Sequence, residues 1–163
     1  MKKFFIGLCA ISTAFVGSIL AGERTLSIIK PDAVQEGHIG EILSRLESDG
    51  FKIKAGKLRN LSEAEAAKFY EIHKEKPFYA SLIQFMTSGP VFISVLEKEN
   101  AVENYRALMG STDPLKAEEG TLRYKFGKSI QSNAVHGSDS KENAEIEIRF
   151  FFPELSTPSQ GDR

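Results

Sequence analysis

The stretch Asn133-Ala134-Val135-His136-Gly137-Ser138-Asp139-Ser140 joins a weakly patterned segment to an amphipathic one, and it contains one of the chain's three histidines. Its apolar residues Ala134 and Val135 favour a short strand that ends at His136. The glycine that follows would let a ligand approach the backbone closely. Two interpretations fit this local pattern: His136 is catalytic, or it is an ordinary half-buried histidine at a strand end.

An amphipathic helix is predicted directly after this stretch, from about residue 140 to residue 151. Ala144, Ile148 and Phe151 form its buried stripe, and Glu147 lies along the flank of that stripe. Because a buried carboxylate needs a partner, we expect it to pair with His136, the nearest candidate along the chain. A carboxylate on one imidazole nitrogen fixes the tautomer and makes the other nitrogen a better nucleophile. Alternatively, Glu147 is a rim residue whose carboxylate reaches solvent.

Along the chain, the hydrophobic pattern predicts strands and helices in turn. The strand patterns cover residues 25–29, 51–55, 91–96 and 134–136. The helix patterns cover residues 39–46, 62–72, 78–86, 99–109 and 140–151. Segment 110–132 has no sustained period, and a loop of that length inside a compact domain tends to be functional.

This order of elements predicts an α+β fold. We expect a ferredoxin-like α/β sandwich, in which helices cover one face of a four-stranded antiparallel sheet. The sequence has no glycine-rich dinucleotide turn and no Gly-x-x-x-x-Gly-Lys-Ser/Thr phosphate loop. A phosphate-bearing substrate would therefore have to be held by individual cationic side chains.

Three basic residues could supply such cations: Lys30 at the end of the first strand, Arg106 in a helix, and Arg123 in the long loop. The planar fork of arginine matches phosphoryl oxygens. Thr112 could donate a hydroxyl to a phosphate, and Phe78 could stack on a base. Each residue also has a plainer interpretation, as a solvated surface charge, a turn hydroxyl or a core aromatic ring.

The composition of the chain fits one globular domain. It has 163 residues, 41% of them hydrophobic, with a net charge of −1 and a single cysteine. One cysteine excludes an internal disulfide framework and a cysteine-based zinc cluster. Without residues 1–21 the net charge is −3, because Lys2 and Lys3 leave with them. That balance argues against nucleic acid as a partner.

Three regions are predicted: an apolar, signal-like leader over residues 1–21, a domain over residues 22–153, and a flexible polar tail over residues 154–163. The leader has a short basic start, an apolar run and a small residue at its end. It could be cleaved, or retained as a membrane anchor. A third possibility is that translation begins near Leu20, so that the leader is never made.

Several motifs together resemble the nucleoside diphosphate kinase family. The likeness runs in unbroken order from about residue 23 to residue 152, and the histidine stretch 133–140 is its most specific part. The other motifs are Ile29-Lys30-Pro31-Asp32, Lys76-Pro77-Phe78, Thr87-Ser88-Gly89-Pro90 and Gly120-Thr121-Leu122-Arg123.

The resemblance implies a ferredoxin-like enzyme that transfers the γ-phosphoryl group of ATP to nucleoside diphosphates by a ping-pong route. His136 would form a phosphohistidine, Glu147 would orient its other ring nitrogen, Ser138 would contact Glu147, and Tyr70 would support Lys30. The nucleotide-binding residues implied are Lys30, Phe78, Arg106, Thr112, Arg123 and Asn133. Mg²⁺ would be held mainly by the substrate phosphates, so no protein metal ligands are implied.

The family resemblance also implies broad base specificity and a homotetramer or homohexamer, to which Ile146 could contribute an apolar contact. The sequence departs from the family pattern at Tyr124-Lys125 and in the leader. We expect a cytoplasmic protein, because the reaction needs an ATP pool, with export through the leader as the alternative. Contact with a membrane is expected only if the leader is retained.

Two rival functions remain at this point. The first is a non-catalytic nucleotide-binding protein, or an exported interaction protein, on the same fold. The second is an RNA-binding ferredoxin-like domain, which the net charge of −3 disfavours.

Overall fold

A four-stranded antiparallel sheet organises the chain in a computed structural model that describes residues 22–155. The strands are β1 (Glu23–Ile29), β2 (Lys52–Arg59), β3 (Val91–Lys98) and β4 (Val135–Gly137). Their order across the sheet is β2-β3-β1-β4, and every neighbouring pair is antiparallel. The prediction of an α+β, ferredoxin-like sandwich is confirmed.

Seven α-helices, connected in part by short 3₁₀ turns, pack around this sheet within the described residues. They are α1 (Pro31–Gln35), α2 (Ile39–Ser48), α3 (Glu63–Phe69), α4 (Tyr79–Met86), α5 (Ala101–Met109), α6 (Leu122–Phe126) and α7 (Lys141–Phe151). The 3₁₀ turns are Glu71–His73, Pro114–Lys116 and Pro153–Leu155. Most predicted helices are therefore present, with boundaries shifted by a few residues.

The helices lie on both faces of the sheet, so the expectation of a single covered face is wrong. Leu26 and Ile28 of β1 pack in one apolar cluster with Ile148 of α7. On the opposite face, Ser27 shares a hydrogen bond with Tyr105 of α5, with 2.6 Å between their oxygens. Strands β1 and β3 are buried on both sides over most of their length. The sequence of β3 is largely apolar, whereas β1 buries Thr25 and Ser27 on the face opposite Leu26 and Ile28.

The edge strand β2 alternates between exposed and half-buried residues along its whole length. It continues to Arg59, beyond the predicted end at residue 55. Its pairing with β3 changes register between Ile53 and Ala55.

The long loop 110–132 contains α6, a helix that the sequence pattern did not reveal. Its N-cap is Thr121, whose hydroxyl oxygen accepts a hydrogen bond from the N–H of Tyr124 at 3.4 Å. A helix of five residues spans less than two turns, so it is too short to show a hydrophobic period. Helix α3 in turn ends at Phe69 and passes into a 3₁₀ turn, whereas the pattern predicted one helix to residue 72. The capping box between Ser62 and Glu65 is present at its start.

Gly137 lies against α5 rather than against an open ligand path. A Cβ atom built there would come within 2.7 Å of both Met109 Cε and Tyr105 Cδ1. The expectation that this glycine admits a ligand to the backbone is therefore corrected. Its missing side chain lets α5 pack closely on β4.

The predicted leader, residues 1–21, and nearly all of the predicted tail lie outside the described residues. Residues 154 and 155 belong to the 3₁₀ turn Pro153–Leu155, and Arg24 Nη1 donates a hydrogen bond to the Leu155 carbonyl at 3.0 Å. Within residues 22–155, none of the helices combines the length and apolar character needed to cross a membrane.

Replacing Gly137 with alanine should destabilise the fold, because the methyl group would overlap Met109 and Tyr105. We expect a loss of about 1–3 kcal/mol in the free energy of unfolding, the usual cost of overpacking a core. Urea unfolding of Gly137→Ala and of the wild type measures this difference in the free energy of unfolding. Equal unfolding midpoints would contradict this account of the glycine.

Candidate active site

His136 and Glu147 face each other across the junction of β4 and α7. The Nε2 atom of His136 lies 3.2 and 3.3 Å from the two carboxylate oxygens of Glu147. The side chains are about one-fifth exposed, at 20% and 18%. Among residues 22–155, Nδ1 of the same ring has no hydrogen-bond partner. The imidazole therefore presents Nδ1 as its free nitrogen.

Ser138 ties this carboxylate to the sheet. Its hydroxyl donates a hydrogen bond of 2.6 Å to Glu147 and accepts one of 3.2 Å from the N–H of Leu26 in β1. Ser138 is 1% exposed, so both hydrogen bonds are shielded from water. The Glu147 side chain is thus fixed relative to the strand that pairs with β4.

The backbone before His136 is held in an unusual turn. The N–H of Val135 donates to the carbonyl of Asn133 at 2.8 Å, and Ala134 between them has φ = +67°. A non-glycine residue in that region costs about 1–2 kcal/mol. Two contacts stabilise it: Ala134 N–H donates to Asp32 Oδ2 at 3.0 Å, and Lys30 N–H donates to the Ala134 carbonyl at 2.8 Å. The connection from β1 into α1 therefore fixes the path of the histidine stretch.

Two aromatic rings flank the imidazole. The rings of Phe69 and Tyr70 lie edge-on to it, with centroid separations of 5.4 and 6.0 Å. Tyr70 is buried, and its hydroxyl has no hydrogen-bond partner among the described residues. Burial and the nearby Glu147 charge raise the pKa of Tyr70, so it is a neutral phenol. The structure places Tyr70 against His136 and shows no hydrogen bond from it to Lys30.

A connected set of polar residues lies beside the histidine stretch. The Lys30 ammonium donates to Asn133 Oδ1 at 2.6 Å, and Asn133 Nδ2 donates to the Thr112 carbonyl at 3.0 Å. Lys30 is only 7% exposed, and burial lowers its pKa to about 8, with the positive charge of Arg123 acting in the same direction. Asp32 partly offsets this shift. The side chain of Thr112 is exposed, so its hydroxyl is open to a ligand.

Arg123 connects the long loop to β4. Its Nη1 donates to the Gly110 carbonyl and its Nη2 to the Val135 carbonyl, each at 3.0 Å. Its Nε is buried without a partner in the described part of the chain. Burial lowers the pKa of this guanidinium, Tyr105 opposes the shift, and the neighbouring Arg106 adds to it. Each terminal nitrogen of Arg123 has a second N–H that does not bond to the Gly110 or Val135 carbonyl. Arg106 itself is exposed on α5.

Phe78 stands at the far end of a row of aromatic rings. It is half exposed, and its ring lies 5.7 Å from that of His73. His73 stacks on Tyr70 with a centroid separation of 6.4 Å, and Tyr70 in turn contacts His136. The exposed face of Phe78 is therefore available to a flat ligand on the same side of the sheet as the imidazole.

The structure brings together most of the residues singled out from the sequence, and it adds two. Asp32 holds Ala134, and Phe69 contacts His136. In the sequence, Asp32 is part of the motif Ile29-Lys30-Pro31-Asp32, which gives no signal of its contact with Ala134. Phe69 gave no signal beyond that of a core aromatic residue in a helix. Within residues 22–155, His, Cys, Asp and Glu side chains form no group of three or more that could hold a metal ion.

A carboxylate-held imidazole with cations beside it is suited to an enzyme that handles phosphoryl groups. The sequence model of the family described as Nucleoside diphosphate kinase matches residues 23–157. A relative of that name from Dechloromonas aromatica (strain RCB) is 58% identical over 138 residues, 85% of this chain and 97% of the relative. One from Burkholderia thailandensis is 57% identical over 141 residues, 86% of this chain and the relative's whole length.

Solved structures of nucleoside diphosphate kinases also align with the chain. The nucleoside diphosphate kinase of Aquifex aeolicus aligns with a TM-score of 0.80 at 44% identity, over 83% of this chain and 99% of that one. A halophilic nucleoside diphosphate kinase from Halobacterium salinarum, solved in complex with CDP, aligns with a TM-score of 0.80 at 42% identity, over 87% of this chain and 94% of that one. The chain belongs to the nucleoside diphosphate kinase family, as the sequence motifs indicated.

Its enzyme class follows from that membership. It is a nucleoside-diphosphate kinase, a nucleotide-binding phosphotransferase, and the relatives at 55–58% identity all carry that name. The alternative of a non-catalytic or exported interaction protein on the same fold gains no support from these comparisons.

Lys30 should make nucleotide binding depend on pH. The buried ammonium loses its proton as the pH rises through its pKa of about 8, so Lys30 would attract a phosphate below that value and would not do so above it. We expect the affinity for ADP to fall about tenfold between roughly pH 7 and pH 9.5. Isothermal titration calorimetry across that pH range measures the affinity for ADP.

The matched variant is Lys30→Gln, which keeps a polar side chain of similar length but carries no titrating charge. It should bind ADP weakly at neutral pH and show no such fall. A wild-type affinity that stays constant across the range would contradict the role assigned to Lys30.

Proposed function

We propose that the enzyme transfers the γ-phosphoryl group of ATP to nucleoside diphosphates by a ping-pong mechanism through a phosphohistidine on His136. The observation that carries the proposal is the contact of His136 Nε2 with Glu147, which leaves Nδ1 without a partner among the described residues. A neutral imidazole with its proton on Nε2 has its lone pair on Nδ1. That lone pair is the nucleophile.

In the first half-reaction, Nδ1 attacks the γ-phosphorus of ATP. A phosphorus–nitrogen bond forms as the bond to the β,γ-bridging oxygen breaks, and ADP leaves with that electron pair. In the second half-reaction, a terminal β-phosphate oxygen of a nucleoside diphosphate attacks the same phosphorus. The phosphorus–nitrogen bond breaks, a nucleoside triphosphate forms, and the imidazole is restored.

Glu147 stabilises the charge that develops on the ring during the first step. As Nδ1 bonds to phosphorus, the imidazole becomes positively charged, and the carboxylate at 3.2 and 3.3 Å from Nε2 offsets that charge. The hydroxyl of Ser138 keeps the carboxylate in place through its 2.6 Å hydrogen bond. The ring therefore needs little reorganisation when it is phosphorylated.

The cations and aromatic residues beside the imidazole would bind the nucleotide. Arg106, Thr112 and Arg123 would hold the phosphates, while Lys30 and Asn133 would contact the ribose and the phosphates. Phe78, with 50% of its surface exposed, would stack on the base. Stacking depends on the face of a base and hardly on its identity, so this arrangement supports broad base specificity.

Mg²⁺ would reach the site bound to the nucleotide phosphates. Lys30 and Arg123 lie beside the histidine stretch, and Arg106 is a neighbour of Arg123. These cations would bind phosphates and not a metal ion, which suits a metal ion carried by its phosphate ligands. When bound, the ion would share with these side chains the neutralisation of charge on the transferring phosphoryl group.

For the assembly, we retain the proposal of a homotetramer or homohexamer. Ile146, 62% exposed on α7, is an apolar residue that such an interface could cover. Sedimentation velocity would show a species of four or six chains, and a monomer at micromolar concentration would rule this out.

For location, we retain the cytoplasm, where ATP is available. Intact mass of the native protein from separated cell fractions tests that placement.

Incubation with ATP labelled at the γ-phosphate should leave an acid-labile, base-stable label on the wild-type protein. The label should be lost in His136→Asn, because that variant has no imidazole nitrogen to phosphorylate. His38→Asn is the matched control: His38 lies between α1 and α2, against Phe126, and should not affect labelling. A label that persists in His136→Asn would refute the proposal.

A further inference from the structure

Phe69 is the last residue of α3, and its ring contacts four other aromatic rings. It contacts the His136 imidazole edge-on, at 5.4 Å between centroids and 69° between planes. It also contacts Phe151 and Phe150 of α7, at 4.8 and 5.7 Å. Phe69 therefore touches both the nucleophile and the helix that carries Glu147.

The hydrogen bond to Glu147 does not by itself fix the plane of the imidazole. Nε2 lies almost equally far from the two carboxylate oxygens, at 3.2 and 3.3 Å, so the contact is shared between them and relatively long. Rotation of a histidine ring about its Cβ–Cγ bond has a broad energy profile. The ring needs steric walls to keep Nδ1 pointed at one place.

Phe69 and Tyr70 supply such walls on the side of α3. Tyr70 is itself held edge-on against Phe69, at 4.8 Å between centroids and 85° between planes. Edge-to-face contacts between rings favour one relative orientation. A flat ring at position 69 therefore restricts the rotation of the imidazole in a way that a branched or flexible aliphatic side chain would not.

We propose that Phe69 is a positioning residue that sets the plane of the His136 imidazole, so that Nδ1 faces the phosphoryl group while Nε2 faces Glu147. This inference rests on the proposed phosphohistidine mechanism. Phe69 acts through His136 and takes no part in the chemistry itself.

The test compares Phe69→Leu with Phe150→Leu. Both phenylalanines are half-buried and contact Phe151, but the ring contact with His136 involves Phe69 and not Phe150. Phe69→Leu should lower kcat about three- to tenfold with little change in KM, the size expected for one edge-to-face contact that orients the reacting ring. Phe150→Leu should leave kcat nearly unchanged. Phe69→Tyr keeps a flat ring and should retain most of the activity.

A second readout distinguishes positioning from a general loss of structure. Long-range ¹H–¹⁵N NMR spectra of the unphosphorylated protein report the tautomer of His136. The wild type and Phe150→Leu should show mainly the form protonated on Nε2, whereas Phe69→Leu should show a mixture of the two tautomers. If Phe69→Leu does not fold, Phe69→Met replaces the ring with a flexible side chain that fills a core site readily.

Equal kcat values and equal His136 tautomers in Phe69→Leu and Phe150→Leu would overturn the inference. The NMR readout does not depend on phosphorylation, so the two proposals can fail separately. If the wild type takes no label on His136, the proposed mechanism fails. If it takes the label but the variants behave alike, only the role of Phe69 fails.

Discussion

The contact between His136 and Glu147 is the interaction on which the rest of the site depends. The shortest strand of the sheet, β4, carries the histidine, and the helix that follows it carries the carboxylate. Ser138 lies between them in sequence and hydrogen-bonds to both Glu147 and β1, which joins the pair to the centre of the sheet. A pair of side chains drawn from one strand and the next helix needs only a short connection, and the antiparallel pairing of β4 with β1 fixes where that connection lies.

The backbone that leads into this pair is held by polar contacts from distant parts of the chain. Lys30, which follows β1, and Asp32, in α1, hold Ala134 in its left-handed conformation, and Arg123 hydrogen-bonds to the carbonyl of Val135. All three residues fix the histidine stretch. Lys30 and Arg123 also place positive charge beside it, where the proposed mechanism puts a phosphate chain, while the Asp32 carboxylate partly offsets the charge of Lys30. Burial of Lys30 and Arg123 lowers the pKa of each group, which is the electrostatic cost of placing cations in a packed site before the anionic ligand arrives.

Local patterns were sufficient to predict the α+β class, the positions of the main strands and the pairing of His136 with Glu147. The pairing could be predicted because a helix period places Glu147 beside a buried stripe, where a carboxylate needs a partner. The second covered face of the sheet, helix α6 and the true neighbour of Gly137 could not be predicted in this way. Each depends on contacts between residues far apart in sequence, as when Met109 and Tyr105 pack on Gly137. The contact of Phe69 with His136 was missed for the same reason, since in sequence Phe69 is one apolar residue of a helix.

The most direct test of this account is the position of the phosphoryl group on the ring. Because Glu147 occupies the Nε2 side of His136, the account requires that the phosphoryl group be bonded to Nδ1. Two-dimensional ¹H–³¹P and ¹H–¹⁵N NMR of the phosphorylated protein, labelled with ¹⁵N in histidine, identifies the bonded nitrogen. We predict a single species with phosphorus on Nδ1 and a proton on Nε2. Phosphorus on Nε2 would contradict the geometry on which the proposed mechanism rests.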